Sequence, residues 1–371
     1  MRILGVVNQK GGCGKTTTAI NLASWLAERG RKVLLVDVDP QGHATSGLNA
    51  QDLSPEVDLR RALLNLYEEP FALSQLAVPV AEGLALVPSL LSLVALEQEL
   101  AGAADKDRRL RDLIARGGAA YDYILIDSPP NLGILTVNVL TASREILIPV
   151  DTGMFSLHGL RRLFQVIDLV RDRLGLKPVV RILLTMYDRR LRLSRTVLGR
   201  VEEQYPGCLL ETKIRTNVHL KEAPSFGLPI LRHRPNSLGC WDYEALAEEI
   251  LSLEGEMAAL EAAGAFQESR LVGEAEEARP EAGEMFREVT FHIPAPQARS
   301  VALVGEFNRW QQEEALRLER GEDGVWRGRL RVPPGSYQYK YLVDGQWVLD
   351  PENPLRVVTD NGVVNSLIRV K

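Results

Sequence analysis

The sequence predicts two folds in one chain: a doubly wound α/β domain with a mostly parallel sheet over residues 1–253, and an all-β, immunoglobulin-like sandwich over residues 286–371. Val/Ile/Leu-rich runs without period-2 alternation, separated by helical patterns, predict the first fold, because strands covered on both faces are apolar throughout. Short alternating runs between turn residues predict the second. Residues 254–285 are rich in Glu and Ala, which predicts an acidic linker between the two.

Strand-like and helix-like stretches alternate through the first domain. The predicted strands are the apolar runs at residues 3–7, 33–36, 84–87, 123–126, 146–150 and 179–186. Helical patterns occupy residues 14–28, 92–101, 105–116 and 159–173, and a final helix is expected over residues 241–253. Because parallel strands need crossover connections, this order predicts helices on both faces of the sheet. The order of strands and helices is therefore that of a doubly wound α/β domain.

The linker and the second domain differ in composition. From Glu254 to Glu284, nine Glu stand against two Arg, giving -7. Residues 257–263 can extend the preceding helix, but later glycines and Pro280 interrupt it. Beyond the linker, turn signals at Pro333-Pro334-Gly335 and Asp344-Gly345 separate short strands. These strands are VTFHI, SVALVG, GVWRGRLRV, SYQYKYLV, QWVL and NSLIRV.

Composition excludes several classes of protein. Hydrophobic residues make up 45% of the chain, yet no apolar run approaches the roughly 18 residues of a membrane span. The sequence enters its first strand without a charged and apolar leader, so we expect a cytoplasmic protein without membrane attachment. Three scattered cysteines without a CxxC pair do not form a disulfide framework. The five histidines share no ligand spacing, which disfavours a protein-held transition metal: His43, His158, His219, His233 and His292.

The net charge of -5 is unevenly distributed. From Arg181 to Arg234, eleven Lys or Arg stand against five Asp or Glu, giving +6. Because opposite charges attract a polyanion, this basic segment can face nucleic acid, whereas the acidic linker cannot.

The stretch Asn8 to Thr18, NQKGGCGKTTT, lies between the first strand and the first helix. Its glycines allow a tight turn that aims backbone N–H groups inward, and the helix N-terminus adds partial positive charge. Lys15 is placed to reach the β- and γ-phosphates, and the Thr16 hydroxyl to coordinate Mg2+. The predicted nucleotide-binding residues are Gly11, Gly12, Cys13, Gly14, Lys15, Thr16 and Thr17.

The loop begins with a second lysine, Lys10, which the common phosphate-loop pattern does not require. KGGCGKT resembles the deviant Walker A motif of the ParA/MinD family of P-loop ATPases. KVLLVDVD followed by PQGHATSGL, and YDYILID followed by SPPNLG, are similar to the family's second and third nucleotide motifs, in the family's order. The resemblance covers about residues 1–252 and implies an ATPase that uses ATP and Mg2+.

The second and third motifs each end a hydrophobic strand with carboxylates, where an open α/β sheet gathers its ligand groups. Asp37 and Asp127 are expected to hold Mg2+ together with Thr16. The resemblance implies that Asp39 orients the attacking water. It also implies that Lys10 reaches into the partner's site when two subunits enclose two ATP molecules, so that hydrolysis depends on an ATP-dependent homodimer. The expected catalytic residues are Lys10, Lys15 and Asp39.

Within the family, the chain resembles the short, chromosomal-type ParA or Soj proteins. It has no cluster cysteine near SPPNLG, no basic amphipathic helix after the last helix and no helix-turn-helix before the first strand. These relatives bind DNA without sequence preference, so the resemblance implies association with the nucleoid and a ParB-like or other activating partner. DRRLRLSR and IRTNVHLKEAPSFG resemble their DNA-binding segments, so the expected DNA-binding residues are Arg190, Arg192, Arg215 and Lys221.

Some positions depart from the family pattern. His219 stands at the second usual DNA-binding arginine position. Asp151, Gly153 and His158 stand where the family usually has Gln, Glu and Glu, which bears on the dimer surface or on partner contacts.

A second resemblance is carried by three C-terminal segments, GEFNRW, YKYLVDGQWVLDP and NGVVNSLIRV. They resemble the glycogen-binding domain of the AMP-activated protein kinase β subunit. They are equally similar to the early-set domains of glycogen branching enzymes, which are grouped as carbohydrate-binding module family 48. The match implies an α-glucan site of two stacking tryptophans and two polar residues: Trp310, Trp347, Lys340 and Asn365. Alternation places Lys340 on the opposite face of its strand from Tyr339, and Trp326 is expected to pack inside. Val363 replaces a polar contact of the kinase domain.

The leading hypothesis is an ATP-dependent dimeric switch that positions or partitions a cargo on nonspecific DNA and carries a glucan-binding or docking domain. The alternative is a regulator of glycogen or glucan metabolism that needs no DNA and whose β-domain is a protein-docking scaffold.

Overall fold

The computed structural model describes residues 1–263 and 287–370, except 54, 70, 101, 104, 154–155, 309, 311–315, 322, 333–334, 354 and 359–363. The chain forms two compact units, Met1–Leu271 and Val272–Lys371. Most of the predicted linker, the Pro333-Pro334 turn signal and Val363 lie outside the described residues.

The first unit contains an eight-stranded sheet in the order β3-β4-β2-β5-β1-β6-β7-β8, parallel except where β3 pairs with β4. Its strands are β1 Arg2–Val6, β2 Val33–Asp37, β3 Val78–Ala81, β4 Leu84–Val87, β5 Tyr123–Asp127, β6 Glu145–Asp151, β7 Val179–Tyr187 and β8 Leu209–Arg215.

Helices cover both faces of this sheet. They are α1 Lys15–Glu28, α2 His43–Gly47, α3 Leu59–Leu64, α4 Leu96–Glu99, α5 Arg109–Ala115, α6 Ile134–Ala142, α7 Ser156–Leu174, α8 Arg192–Gln204, α9 His219–Glu222, α10 Ile230–His233, α11 Leu238–Ser252 and α12 Glu254–Ala262. None of these helices, nor any other in the described part of the chain, combines the length and the apolar character needed to cross a membrane.

Two hydrophobic cores flank the sheet. Successive residues of β1 point to opposite cores, Ile3 into one and Leu4 into the other. Every residue of β1, β2 and β5 is buried, so no polar face interrupts these strands. Each fully buried Val, Leu or Ile contributes about 1.5–3 kcal/mol. The predicted doubly wound α/β fold is therefore confirmed.

Helix α12 lies in the segment predicted as linker and contacts the sheet through its acidic residues. Glu254 accepts hydrogen bonds from Arg31, at 2.9 and 3.1 Å, and from the Tyr123 hydroxyl at 2.6 Å. Glu256 lies 3.3 Å from Arg181, and Met257 is buried. The described start of the acidic segment is thus a packed helix of the first unit.

The second unit is all-β and antiparallel. Its strands are β9 Arg287–Pro294, β10 Val301–Gly305, β11 Leu316–Arg317, β12 Glu319–Arg320, β13 Val325–Val332, β14 Gly335–Val343, β15 Gln346–Val348, β16 Arg356–Val358 and β17 Val364–Val370. One sheet runs β11-β10-β14-β17-β16 with β15 beside β14, and the other runs β12-β13-β9. This arrangement confirms the predicted sandwich class.

The core of this unit contains the predicted inward residues. Tyr339, Tyr341 and Trp326 are buried, and the Trp326 indole donates to the Ala295 carbonyl at 3.0 Å. Asp344 and Gly345 have φ of 47° and 82° and connect β14 to β15, as a tight hairpin turn with two left-handed residues requires. The other face of β14 carries Lys340, which is half-buried.

Candidate functional site

The phosphate loop occupies the turn between β1 and α1. Gly12 and Gly14 have φ of 74° and 94°, backbone angles that residues with a Cβ atom rarely adopt. The loop is held against the sheet, because the Thr185 hydroxyl of β7 donates a hydrogen bond to the Cys13 carbonyl at 2.7 Å. Cys13 itself is buried, so its side chain serves packing. The turn therefore presents its backbone, followed by the first residues of α1, to the cavity.

The two loop lysines have different surroundings. Lys15 is 7% exposed, and its ammonium lies 3.3 Å from the Lys10 carbonyl, within the loop. The Lys10 ammonium forms an ion pair with Asp151 at the end of β6, at 2.6 Å, and donates to the Ser156 hydroxyl at 3.1 Å. In this structure Lys10 is therefore held within its own subunit by Asp151, one of the residues that depart from the family pattern.

Asp37 and Asp127 end neighbouring strands in register, and both are fully buried. Asp37 accepts hydrogen bonds from the Thr45 backbone and hydroxyl at 2.8 and 2.7 Å. Neither carboxylate oxygen of Asp127 has a hydrogen-bond partner among the described residues. Burial, partly offset by Thr45, raises the pKa of Asp37 to about 6; burial and the charge of Asp37 raise the pKa of Asp127 well above its ordinary value.

A divalent cation fits this pair. Two adjacent buried carboxylates repel one another, and the nearby charge of Lys15 does not offset the burial of the Asp127 carboxylate. The Thr16 hydroxyl faces Asp127 and, like Lys15, lowers its pKa. Hydroxyl and carboxylate oxygens are the ligands that Mg2+ prefers. The predicted magnesium residues are thus brought together.

Asp39 lies on the wall of a cavity of about 540 Å³, whose other walls include the phosphate loop, Thr16 and Thr17. Its carboxylate accepts a hydrogen bond from the Gln41 backbone at 3.0 Å. Pro130, from the SPPNLG stretch, lines the same cavity. The structure therefore separates the two aspartates of the second motif, with Asp37 behind the cavity and Asp39 facing it.

The far end of the cavity is lined by residues that the sequence analysis missed. They are Ile20, Asn21, Met186, Ala223, Pro224 and Leu228. The Asn21 side chain accepts a hydrogen bond from the Ile230 backbone at 2.7 Å, which ties α1 to α10. These residues form no short motif and come from three separate stretches of the chain, so no sequence signal was available for them. Their apolar surfaces suit a nucleotide base.

The four arginines around the start of α8 are exposed: Arg189, Arg190, Arg192 and Arg195. The Arg190 side chain is 84% exposed and pairs with Asp188 at 2.7 Å. Its hydrogen bond lowers the pKa of Asp188 to about 2. This basic loop follows β7, so it lies at the same edge of the sheet as the phosphate loop.

The other two predicted DNA-binding residues have different settings. Arg215 makes a bidentate contact with Asp242 of α11 at 2.5 and 2.9 Å, and its backbone N–H donates to the same carboxylate. Lys221 lines the nucleotide cavity. Arg215 and Arg190 are therefore each paired with an aspartate, but Asp242 is buried whereas Arg190 and its loop are more exposed to solvent.

In the second unit, the rings of Trp310 and Trp347 lie 6.2 Å apart with their planes inclined by 55°. Trp347 is 44% exposed, and Trp310 is half-buried with φ of 62°, a rare conformation for a bulky residue. Asn365 is 5% exposed and donates to the Gln338 side chain at 3.0 Å, so in this structure it positions Gln338. The two tryptophans form the adjacent aromatic surfaces that the sequence predicts.

Both units are similar to known protein families. Residues 1–182 match the model of the AAA domain family, and residues 289–371 match the model described as the glycogen recognition site of AMP-activated protein kinase. The chromosome partitioning protein ParA of Myxococcus xanthus is 42% identical over 254 residues, which cover 67% of this chain and 88% of that protein. The chain belongs to the ParA/Soj family of chromosome-partitioning ATPases.

Other relatives extend the similarity. The sporulation initiation inhibitor protein Soj of Bacillus subtilis is 38% identical over 251 residues, 67% of this chain and 98% of that protein. A crystal structure of cobyrinic acid a,c-diamide synthase from Mycobacterium smegmatis, with bound ADP and magnesium, is 31% identical with a TM-score of 0.58. It covers 68% of this chain and 95% of that one. The ParA/Soj part accounts for two thirds of the chain, and the sandwich lies outside it.

Proposed function

We propose that this ParA/Soj protein binds ATP with Mg2+, hydrolyses it to ADP and phosphate, and alternates between a monomer and an ATP-bound dimer. The observation that carries the proposal is the buried pair of Asp37 and Asp127 beside the phosphate loop, with Asp39 facing the cavity. The ADP and magnesium in the Mycobacterium smegmatis structure support the choice of ligand.

Each residue of the site has a task in hydrolysis. Lys15 and the loop N–H groups bind the phosphates, while Thr16, Asp37 and Asp127 hold the cation. Mg2+, when bound, neutralises charge that develops on the phosphate oxygens. Asp39, on the cavity wall, orients the attacking water. Lys10 leaves Asp151 and enters the partner's site, which makes full activity depend on dimerisation.

The proposed cellular role is to position or partition a cargo, with nonspecific DNA as the track and a ParB-like protein as an activating partner. The name of the Myxococcus xanthus relative, chromosome partitioning protein ParA, supports this role. The exposed arginines at the start of α8 supply positive charge at the edge of the sheet that holds the nucleotide. The sandwich binds an α-glucan through Trp310 and Trp347 and connects the switch to a glucan-containing particle.

One observation favours the alternative role in glucan metabolism without DNA. Arg215 is paired with Asp242, and Lys221 lines the nucleotide cavity, so two of the four predicted DNA contacts carry other tasks. Salt-dependent retention of DNA with ATP supports the partitioning role, whereas capture of glucan-metabolising enzymes without DNA binding supports the alternative.

The nucleotide chemistry is tested by measuring phosphate release with and without Mg2+. Asp37→Asn and Asp127→Asn should each abolish Mg2+-dependent hydrolysis, because the cation loses a carboxylate ligand. The matched control is Asp172→Asn, an exposed aspartate of α7, which should hydrolyse ATP like the wild type. Hydrolysis by the Asp127→Asn variant at the wild-type rate would refute the proposed magnesium site.

A further inference from the structure

Three side chains with metal-binding atoms converge between α9 and α10. The Nδ1 atom of His219 lies 2.8 Å from the carboxylate of Glu222, one turn along α9. The Nε2 atom of His233, at the end of α10, lies 3.6 Å from the same oxygen. All three ligand atoms lie within 4.8 Å of one another. The fold therefore brings together two histidines that are far apart in the sequence.

His233, the third member of the cluster, has a largely buried side chain. The His233 side chain is 11% exposed, and its Nε2 atom is buried without a hydrogen-bond partner among the described residues. Phe226 stacks on the His233 ring at 4.9 Å, which fixes the direction of this nitrogen. Because the buried His233 Nε2 atom lies near the Glu222 carboxylate without forming a hydrogen bond to it, a cation placed between them could bind both groups.

We propose that His219, Glu222 and His233 bind a divalent transition-metal ion, Zn2+ in the first instance. Two imidazole nitrogens and one carboxylate oxygen form a ligand set suited to this class of ion and poorly suited to Mg2+ or Ca2+. Metal–nitrogen distances of about 2.0–2.1 Å place neighbouring ligand atoms about 3.3 Å apart in a tetrahedral site. The observed separations of 2.8 and 3.6 Å lie on either side of that value. Water supplies the fourth ligand.

The two histidines of the proposed metal site flank a segment of the nucleotide-cavity wall. Between the two histidines lie four residues that line the cavity: Lys221, Ala223, Pro224 and Leu228. A metal ion that joins α9 to α10 fixes both ends of this wall segment. The nearest arginine on α10, Arg232, is paired with Glu28 at 2.7 Å and so has its own counter-ion. The ion therefore stabilises the far wall of the cavity from outside it.

The test uses the full-length protein without nucleotide and without Mg2+, so that its result does not depend on the proposed ATPase activity. Co2+ is titrated as a spectroscopic substitute for Zn2+, and Zn2+ affinity is then measured by displacement. We expect one equivalent of Co2+ with the visible absorption of a four- or five-coordinate site. His219→Ala and His233→Ala should each weaken Zn2+ binding by on the order of 100-fold, because each removes a direct ligand.

Controls separate this site from adventitious binding. His158→Ala removes an exposed histidine of α7 and should leave the Co2+ spectrum and the Zn2+ affinity unchanged. Unchanged circular dichroism of the histidine variants shows that they fold. Thiolate-to-cobalt bands, which indicate binding at Cys208 or Cys240, would overturn the proposal, as would Co2+ absorption that persists in the His219→Ala/His233→Ala double variant. Failure of the wild type to bind either ion would overturn it as well.

Discussion

Asp37 and Asp39 lie two residues apart, but the fold gives them different tasks. Asp37 ends β2, is fully buried and bonds to Thr45, whereas Asp39 has left the strand and faces the cavity. A carboxylate behind the cavity can hold a cation but cannot touch an attacking water near the γ-phosphate. Asp39 is thus the carboxylate of this motif that is placed for the water.

Asp39→Ala should bind ATP as the wild type does and hydrolyse it about 10²–10⁴ times more slowly, because the water loses its orienting group. Lys15→Ala should instead lose tight nucleotide binding, because Lys15 contacts the phosphates in the ground state. Fluorescent-nucleotide titration and phosphate release measure the two effects separately. Wild-type hydrolysis by the Asp39→Ala variant would remove Asp39 from the catalytic site.

Lys10 pairs with Asp151 of its own subunit in the structure, whereas the proposed mechanism places it in the nucleotide site of the other subunit. Its ion pair with Asp151 must break in each of the two subunits before both lysines can cross, so two pairs are lost per dimer. A partly exposed pair contributes about 0.2–1 kcal/mol, so Asp151→Asn should lower the dissociation constant of the ATP-bound dimer by about 2- to 30-fold. Lys10→Ala should bind ATP and remain monomeric.

Sedimentation velocity with ATP, in an Asp39→Ala background that prevents turnover, measures these constants. Asp168→Asn is the matched control, because its carboxylate pairs with Arg171 on an exposed part of α7. A weaker dimer in the Asp151→Asn variant would contradict the account and show that Asp151 contacts the partner.

At the scale of elements, the exposed arginines proposed to bind DNA lie on the loop between β7 and α8 and at the start of α8. Arg190→Glu combined with Arg192→Glu should abolish ATP-dependent DNA retention at low salt. Arg190→Ala alone should reduce the slope of log K against log salt by about 0.9 and weaken binding equally on unrelated duplexes. Fluorescence anisotropy across a salt series measures both effects.

Arg215 is left out of this test because its substitution would strand the Asp242 carboxylate and disturb the contact between β8 and α11. The matched control is Arg173→Glu with Lys177→Glu, which changes an exposed residue in the last turn of α7 and an exposed residue between α7 and β7, at the opposite edge of the sheet. Equal loss of DNA retention in the control would show that net charge, and not this loop, determines binding.

Among the strands of the first unit, the sequence predicted the continuous apolar runs and missed the two edge strands, β3 and β8. Strands β1, β2, β5 and β6 were predicted because both of their faces meet a hydrophobic core. Strand β8 was missed because, as an edge strand, it mixes buried and exposed residues in LLETKIR. Strand β3 was missed because Pro79 reads as a break, although an edge strand tolerates proline.

In the candidate site, residues that belong to sequence motifs were predicted, and residues that only tertiary packing brings together were missed. The phosphate-binding and cation-binding residues were predicted because motifs place them next to one another on the chain, at strand ends that the fold brings together. The cavity wall around Met186 and Pro224, the Lys10–Asp151 pair and the His219–His233 cluster were missed. Each joins residues that are distant in the sequence, so tertiary packing alone creates it.

For the whole molecule, the central claim is that an ATP-driven dimer switch controls a glucan-binding sandwich. The affinity of one sandwich for one glucan chain should not change with ATP, because the nucleotide site belongs to the other unit. Dimerisation presents two sandwiches to the same particle, which raises retention on a multivalent glucan by avidity. Trp310 and Trp347 supply the stacking surface, worth on the order of 1–3 kcal/mol each.

Co-sedimentation with glycogen, with and without ATP, tests this claim most directly. Wild-type protein should sediment in both states and more strongly with ATP, while Trp310→Ala combined with Trp347→Ala should remain in the supernatant in both. Trp241→Ala, at an exposed tryptophan of the first unit, is the matched control and should sediment like the wild type. If the wild type fails to sediment in either nucleotide state, the sandwich does not bind glucan and the claim is contradicted.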